Sequence, residues 1–178
     1  MNQTAATAKT ARPARLQGQL AGRRADALFR SAAFGEAVSI LMRAPKHRTL
    51  PLSALSHHVL PAIVHNQFRI GRVRRPGNTQ TAPAGIAMWA AVSEAVDARL
   101  RSGSQQPIKL TFEEWKSGPK LWLIDLIAPA SIAADMLREI DQKIGNGRPI
   151  STIIVASDGT MKVTTVSEIL RDLKKNAA

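Results

Sequence analysis

Apolar residues recur at helical spacing in the first part of the chain. Between residues 26 and 43 they fall every three to four positions, which predicts a helix that ends before Pro45. A second apolar stripe predicts a helix over residues 52–63, which Pro61 should end or kink. The pattern therefore predicts two consecutive helices joined by a short turn.

From residue 67 onward, strand patterns alternate with helix patterns. The predicted strands cover residues 67–73, 84–92, 108–112, 121–127, 152–156 and 161–165. The predicted helices cover residues 93–100, 131–144 and 167–175. The segment Ser157-Asp158-Gly159-Thr160 is typical of a hairpin turn between the last two strands. Strands that are mostly consecutive or hairpin-linked predict a single mixed α/β domain.

Positive charge is concentrated in the front of the chain. The 178 residues carry a net charge of +12, and residues 1–75, with 13 bases and two acids, contribute +11 of it. Such a segment favours anionic partners. Residues 1–25 contain no acidic residue and are rich in Ala, Thr, Gln and Arg. We therefore predict a disordered basic tail over residues 1–25 and a folded domain over residues 26–178.

Composition excludes several kinds of site. The chain has no cysteine, which excludes disulfides, a thiol nucleophile and thiolate metal sites and is consistent with a cytoplasmic protein. No apolar stretch approaches the roughly 20 residues of a membrane span. The glycine-rich phosphate loops and the GxSxG nucleophile motif are absent as well.

Asp125 is the most informative single residue. It lies in the predicted strand 121–127, where every neighbour is apolar, and such strands are normally buried on both faces. Burying an unpaired carboxylate is costly, so Asp125 requires a partner or a place at the mouth of a cleft. Two interpretations stay open: a buried structural carboxylate held by arginine or backbone amides, and a functional carboxylate.

The four histidines all fall between residues 47 and 65, which raises the question of a metal site. His57 and His58 are adjacent, so on a helix their side chains point about 100° apart. The chain has no HExxH motif and no second group of ligands. We therefore predict that no metal is bound.

His47 differs from the other histidines because it lies in the predicted turn between the two helices. Lys46 and Arg48 flank it, and neighbouring positive charge favours the neutral ring that a general base requires. An exposed loop histidine without a function is the alternative.

Four arginines lie on the predicted strand 67–73 and in the turn after it: Arg69, Arg72, Arg74 and Arg75. They are suited to a phosphate, a nucleic acid or an acidic protein, or they form a solvated strand face. The chain has four Phe, three Trp and no Tyr, so a stacking surface for single-stranded nucleic acid is not supported.

Five short blocks occur in a characteristic order and spacing. They are 44–48 (APKHR), 59–63 (VLPAI), 66–68 (NQF), 114–118 (EWKSG) and 122–129 (WLIDLIAP). Over about residues 36–166 the chain thus resembles the RTX toxin-activating lysine acyltransferases, the family of the haemolysin activator.

This resemblance implies a fold similar to the Gcn5-related N-acetyltransferases, with a central mixed, mostly antiparallel sheet flanked by helices. It implies transfer of a fatty acyl chain from acyl-carrier protein to internal lysines of an RTX-type protoxin, without a tightly bound cofactor. Members of the family are cytoplasmic and commonly homodimeric. The family's essential histidine and aspartate fall on His47 and Asp125.

On this basis His47 is expected to act as general base, with Asp125 orienting the ring or holding the incoming lysine. An acyl-histidine intermediate is a competing scheme. Because acyl-carrier proteins are acidic, the docking residues are expected among Arg48, Arg69, Arg72, Arg74 and Arg75. The chain departs from the family at Ala44, where many relatives carry serine, and at His58, where asparagine is usual.

Two other functions remain as alternatives. One is an acyltransferase of the same fold that acts on another amine or on a small molecule. The other is a basic nucleic-acid-binding module, which the pI of about 11.3 suggests. Nothing in such a module requires an aspartate inside strand 121–127, so we expect no nucleic-acid partner.

Overall fold

A computed structural model describes residues 6–74, 77, 79–103, 108–155 and 159–175, with side chains from residue 19 onward. Its α-helices are α1 (Ala6–Arg43), α2 (Leu55–His58), α3 (Leu60–Val64), α4 (Glu94–Arg101), α5 (Ala130–Ile140) and α6 (Val166–Lys175). A 3-10 turn (Leu52–Ala54) precedes α2, and a π-helical turn (Asp141–Gly145) extends α5. The strands are β1 (Phe68–Arg74), β2 (Thr81–Val92), β3 (Lys120–Ile127), β4 (Ile150–Val155) and β5 (Met161–Thr165).

In the described part of the chain, the five strands form one sheet in the order β1-β2-β3-β4-β5. Three of the pairings are antiparallel, and α5 carries the chain over to the parallel pairing of β3 with β4. This confirms the predicted mixed α/β domain with a mostly antiparallel sheet. The closer likeness to the Gcn5-related N-acetyltransferases stays a prediction.

Helices cover both faces of the sheet. On one face α1 and α3 pack against Met88 and Trp122, and on the other α5 and α6 pack against Leu121 and Leu123. Strand β3 is therefore apolar on both sides because both of its sides are buried. Among the helices of the described residues, none combines the length and the apolar character that a membrane span requires.

The first helix begins at Ala6 and not near residue 26 as predicted. Residues 6–25, which we expected in a disordered tail, are therefore helical in the structure. Residues 19–28 are exposed and bury no apolar stripe, so hydrophobic periodicity does not predict a helix there. Their Ala, Arg, Gln and Leu residues nevertheless have high helix propensity. The division into a tail and a domain at residue 26 stays a prediction.

Two other predicted elements need correction. The helix predicted over residues 52–63 is broken at Val59, and Pro61 lies in the first turn of the following helix, where its missing N–H costs nothing. The predicted strand 108–112 is not formed: residues 108–111 are irregular and Phe112 begins a turn. The Glu114 carboxylate accepts the Thr111 N–H at 2.9 Å, which favours a turn over strand pairing.

A buried polar contact links α4 to β3. The indole N–H of Trp122 donates to Asp97 Oδ1 at 2.7 Å, and Arg101 donates to Oδ2 at 2.9 Å. Burial raises the pKa of Asp97, but the hydrogen bonds from Arg101 and Trp122 outweigh it and hold that pKa below its usual range. The Arg101 guanidinium also lies over the Trp122 ring, 5.5 Å from its centroid.

We expect Asp97→Ala to lower the free energy of unfolding by about 1–3 kcal/mol, because it leaves the buried Trp122 N–H without an acceptor. Urea unfolding measures this change. Asp135→Ala is the matched control, since among the described residues Asp135 pairs only with Arg138 at the surface and its side chain is 75% exposed. In a Trp122→Phe background the cost of Asp97→Ala should shrink, and an undiminished cost would exclude this contact as the cause.

Candidate active site

The direction of the Asp125 side chain is set by an irregularity in β3. Leu121 and Leu123 face α5 and α6, whereas Trp122 and Ile124 face the opposite side. Strict alternation would place Asp125 on the side of Leu121 and Leu123. Asp125 instead contacts side chains from the α1–α3 side, so alternation fails between residues 124 and 125.

A β-bulge explains this change of side. Met88 of β2 lies opposite Asp125, but the next residue, Trp89, lies opposite Leu123. Ile124 is thus the extra residue, and such bulges redirect the side chains that follow them. In the described part of the sheet, β3 pairs with β4 only at Leu121 and Trp122, so the backbone of β3 after Trp122 is not paired with β4.

His47 is held in a tight turn directly after α1. The backbone N–H groups of His47 and Arg48 both donate to the Ala44 carbonyl at 2.9 Å. Ala44 itself packs against the core. This turn returns the chain toward the sheet and brings the imidazole to β3.

His58 reaches the same place from α2, of which it is the last residue. The next residue, Val59, is fully buried. His58 lies three residues after Leu55, which also packs against the core, so both are on the same side of this short helix. His57 points away and is exposed.

The three side chains meet at one oxygen atom. The Nε2 atoms of His47 and His58 each lie 2.9 Å from Asp125 Oδ2. The two imidazole rings are nearly parallel, at 23°, with their centroids 6.1 Å apart. The side chains are 18–25% exposed, so the cluster is partly buried yet open to solvent.

The charge on Asp125 fixes the tautomers of both histidines. Burial raises the pKa of Asp125, but the hydrogen bonds and charge interactions with the two histidines outweigh it and hold that pKa far below its usual range. An ionised carboxylate only accepts hydrogen bonds, so each Nε2 carries the proton. The free lone pair of each neutral ring is therefore on Nδ1, and the Nδ1 atom of His47 is buried without a partner.

A metal ion is the other species that such a group of atoms can hold. The ligand atoms of His47, His58 and Asp125 lie within 4.8 Å of one another. Two hydrogen bonds to Oδ2 account for this convergence without a cation. The predicted absence of a metal site stays a prediction.

The arginines predicted to bind the donor differ in their surroundings. Arg69 forms an ion pair with Glu139 at 2.9 Å, and Arg72 pairs with Glu36. Arg48 and Arg74 are exposed, and within the described ranges no carboxylate pairs with either. Arg75 lies outside the described residues.

Sequence reasoning singled out His47 and Asp125 but not His58. His58 was considered with His57 as a metal ligand and noted as a departure from the family's usual asparagine, but no catalytic role was predicted for it. The signal that would have separated them is the apolar stripe of α2, since position 58 follows Leu55 by three residues and position 57 does not.

The sequence model of the RTX toxin acyltransferase family matches residues 27–168. The chain therefore belongs to this family and is an acyltransferase. The match includes His47, His58 and Asp125, and it agrees with the resemblance found in the sequence blocks.

Two of the following three relatives carry names that support the same assignment. The chain is 25% identical over 129 residues to a leukotoxin-activating lysine-acyltransferase of a Pasteurella haemolytica-like species, covering 72% of this chain and 73% of that protein. It is 30% identical over 112 residues to the RTX-I toxin-activating lysine-acyltransferase of Actinobacillus pleuropneumoniae, covering 63% and 60%. It is also 26% identical over 125 residues to an uncharacterized protein of Synechocystis sp., covering 70% and 80%.

We expect Asp125→Asn to lower the free energy of unfolding at pH 6 by about 1.5–3 kcal/mol, the range for hydrogen bonds to charged groups. The folded pKa of Asp125 is depressed, so its contribution is complete above the unfolded pKa of about 3.9 and is lost as the pH falls below that value. Urea unfolding of both proteins from pH 6 to pH 3 measures the difference. A gap that stays constant over this range would contradict the assignment of the stabilisation to the ionised carboxylate.

Proposed function

We propose that this acyltransferase moves a fatty acyl chain from acyl-carrier protein to lysine side chains of an RTX-type protoxin. His47 acts as the general base, and Asp125 supports it. Membership of the family and the names of the relatives support the substrate classes. The observation that carries the catalytic assignment is the 2.9 Å hydrogen bond between His47 Nε2 and Asp125 Oδ2 in a partly buried, solvent-open cluster.

A base is required because the acceptor is protonated at neutral pH. A lysine ammonium has a reference pKa of about 10.4 and becomes a nucleophile only after losing a proton. Asp125 fixes the His47 ring through Nε2 and stabilises the positive charge that develops when Nδ1 takes a proton. Because the pKa of Asp125 is depressed, the carboxylate stays ionised during this transfer.

Attack of the amine on the thioester carbonyl gives a tetrahedral oxyanion. This intermediate needs hydrogen-bond donors, and we assign that role to backbone amides in the part of β3 beyond its pairing with β4. Collapse of the intermediate breaks the carbon–sulfur bond. The thiolate of the carrier leaves and takes its proton from the His47 imidazolium, and the nitrogen of the new amide loses its second proton to solvent.

The acidic carrier protein is proposed to dock on basic residues near the site. Arg48 follows His47 directly, and Arg74 lies at the end of β1. Both are exposed and free of carboxylate partners in the described residues, so their charge is available to a partner. Arg69 and Arg72 are already paired with Glu139 and Glu36, which reduces the positive charge that they offer to the carrier protein. The homodimer and the cytoplasmic location also stay predictions.

Co-expression with an RTX protoxin tests the proposed base. We expect the wild-type chain to add acyl mass to protoxin lysines and His47→Gln to lose about 10²-fold or more of the rate, the usual contribution of a general base. Mass spectrometry of the acceptor peptides measures both. His57→Gln is the matched control because His57 is exposed and lies outside the cluster. Near wild-type acylation by a folded His47→Gln variant would contradict the assignment.

Charge reversal tests the docking residues. We expect Arg48→Glu and Arg74→Glu each to raise the KM for acyl-carrier protein several-fold, because each replaces attraction of an acidic partner by repulsion. The effect should weaken as salt is added. Lys175→Glu, which reverses an exposed cation of α6, is the control and should leave KM unchanged. Equal KM values for all four proteins would exclude these arginines from docking.

A further inference from the structure

The proposed mechanism uses one histidine, but the structure places two on the same carboxylate oxygen. His58 and His47 have the same atom, Nε2, at the same 2.9 Å from Asp125 Oδ2. Asp125 therefore fixes and charge-stabilises the two rings in the same way. By this geometry, either histidine can accept a proton.

The reaction removes two protons from the lysine nitrogen, so a second proton acceptor has a role. The lysine nitrogen carries three protons in the ammonium and one in the amide product. It loses the first proton before it attacks, and it loses the second after the carbon–nitrogen bond has formed. The thiolate leaving group takes up one of these two protons. The other must reach solvent.

The two rings differ in their access to solvent. Nδ1 of His47 is buried without a partner, whereas Nδ1 of His58, whose side chain is 25% exposed, is not among the buried unpartnered atoms of the described residues. Within the described ranges, His58 forms no hydrogen bond, ion pair or ring contact beyond those already named. Of the two free lone pairs, that of His58 is therefore the one accessible from solvent, the side from which an acceptor protein must approach.

We propose that His58 is a further catalytic residue of the reaction in "Proposed function", on which this inference rests. His58 Nδ1 takes the first proton from the lysine ammonium, holds it while the neutral amine attacks the thioester, and then releases it to solvent. His47 Nδ1 takes the second proton and passes it to the thiolate as the carbon–sulfur bond breaks. One acyl transfer thus yields one amide, one thiol and one proton released to water.

The shared carboxylate keeps the two proton transfers separate in time. Asp125 supplies one negative charge, and two imidazolium rings 6.1 Å apart would repel each other. Each ring is therefore protonated in turn. Asp125 from β3 and His47 from the turn after α1 are the titratable groups that contact His58 in the described part of the chain.

His58→Gln is the informative variant. The glutamine amide can still donate to Asp125 Oδ2, but it cannot accept the lysine proton. We expect kcat/KM for the protoxin to fall about 10²-fold at pH 7. The deficit relative to wild type should shrink as the pH rises toward the lysine pKa of about 10.4, because solvent then supplies the neutral amine. His57→Gln, the adjacent exposed histidine, should match the wild type throughout.

Two results would overturn the role of His58. One is wild-type activity of His58→Gln at pH 7. The other is a deficit that stays the same at every pH, which would make His58 a positioning residue for Asp125. Urea unfolding establishes that His58→Gln is folded, and His58→Asn replaces it if it is not. A wild-type chain that acylates no protoxin lysine would instead overturn the proposed function before the variants are compared.

Discussion

One carboxylate oxygen organises the functional part of this protein. Oδ2 of Asp125 receives hydrogen bonds from two imidazoles that come from residues 78 and 67 positions earlier in the chain. For these bonds to form, β3 must contain a bulge, α1 must end in a tight turn, and α2 must break at Val59. Each of these features departs from regular secondary structure, and each moves one of the three side chains to the same point. The surrounding sheet and helices provide the rigid frame against which such departures are stable.

Much of the fold follows from local patterns. Strands β1, β2, β3, β4 and β5 all lie where alternation, apolar runs and the hairpin signature predict them, because each buries at least one face. The errors occur where burial gives no signal or where a side chain competes with the backbone. The front of α1 is exposed, so its helix was not predicted, and Glu114 caps the backbone at Thr111 in a segment predicted to be a strand. Pro61 shows that the same residue can end one helix or begin the next.

The site was predicted less completely than the fold. Asp125 is recognisable as a candidate site residue because a carboxylate inside an apolar strand requires a partner. The resemblance of the sequence blocks to the family assigns His47 to the same site. Spacing alone left arginine or backbone amides open as partners of Asp125, and in the structure two histidines bind its carboxylate instead. The spacing of His58 from Leu55 places its side chain toward the core, but its contact with Asp125 also requires the bulge at Ile124, which the sequence pattern does not reveal.

Because α1 is long, the positive charges near its start lie far from those near the site. Arg24 lies nineteen residues before the end of this helix, which corresponds to about 28 Å along the axis. Charges in water at physiological ionic strength are screened over about 8 Å. The cations of the exposed segment 19–28 therefore exert no appreciable field on the imidazoles, which follow the other end of the helix. These cations enlarge the distance at which an anionic macromolecule is attracted. Substitutions there can therefore change the attraction of a partner without changing proton transfer at the imidazoles.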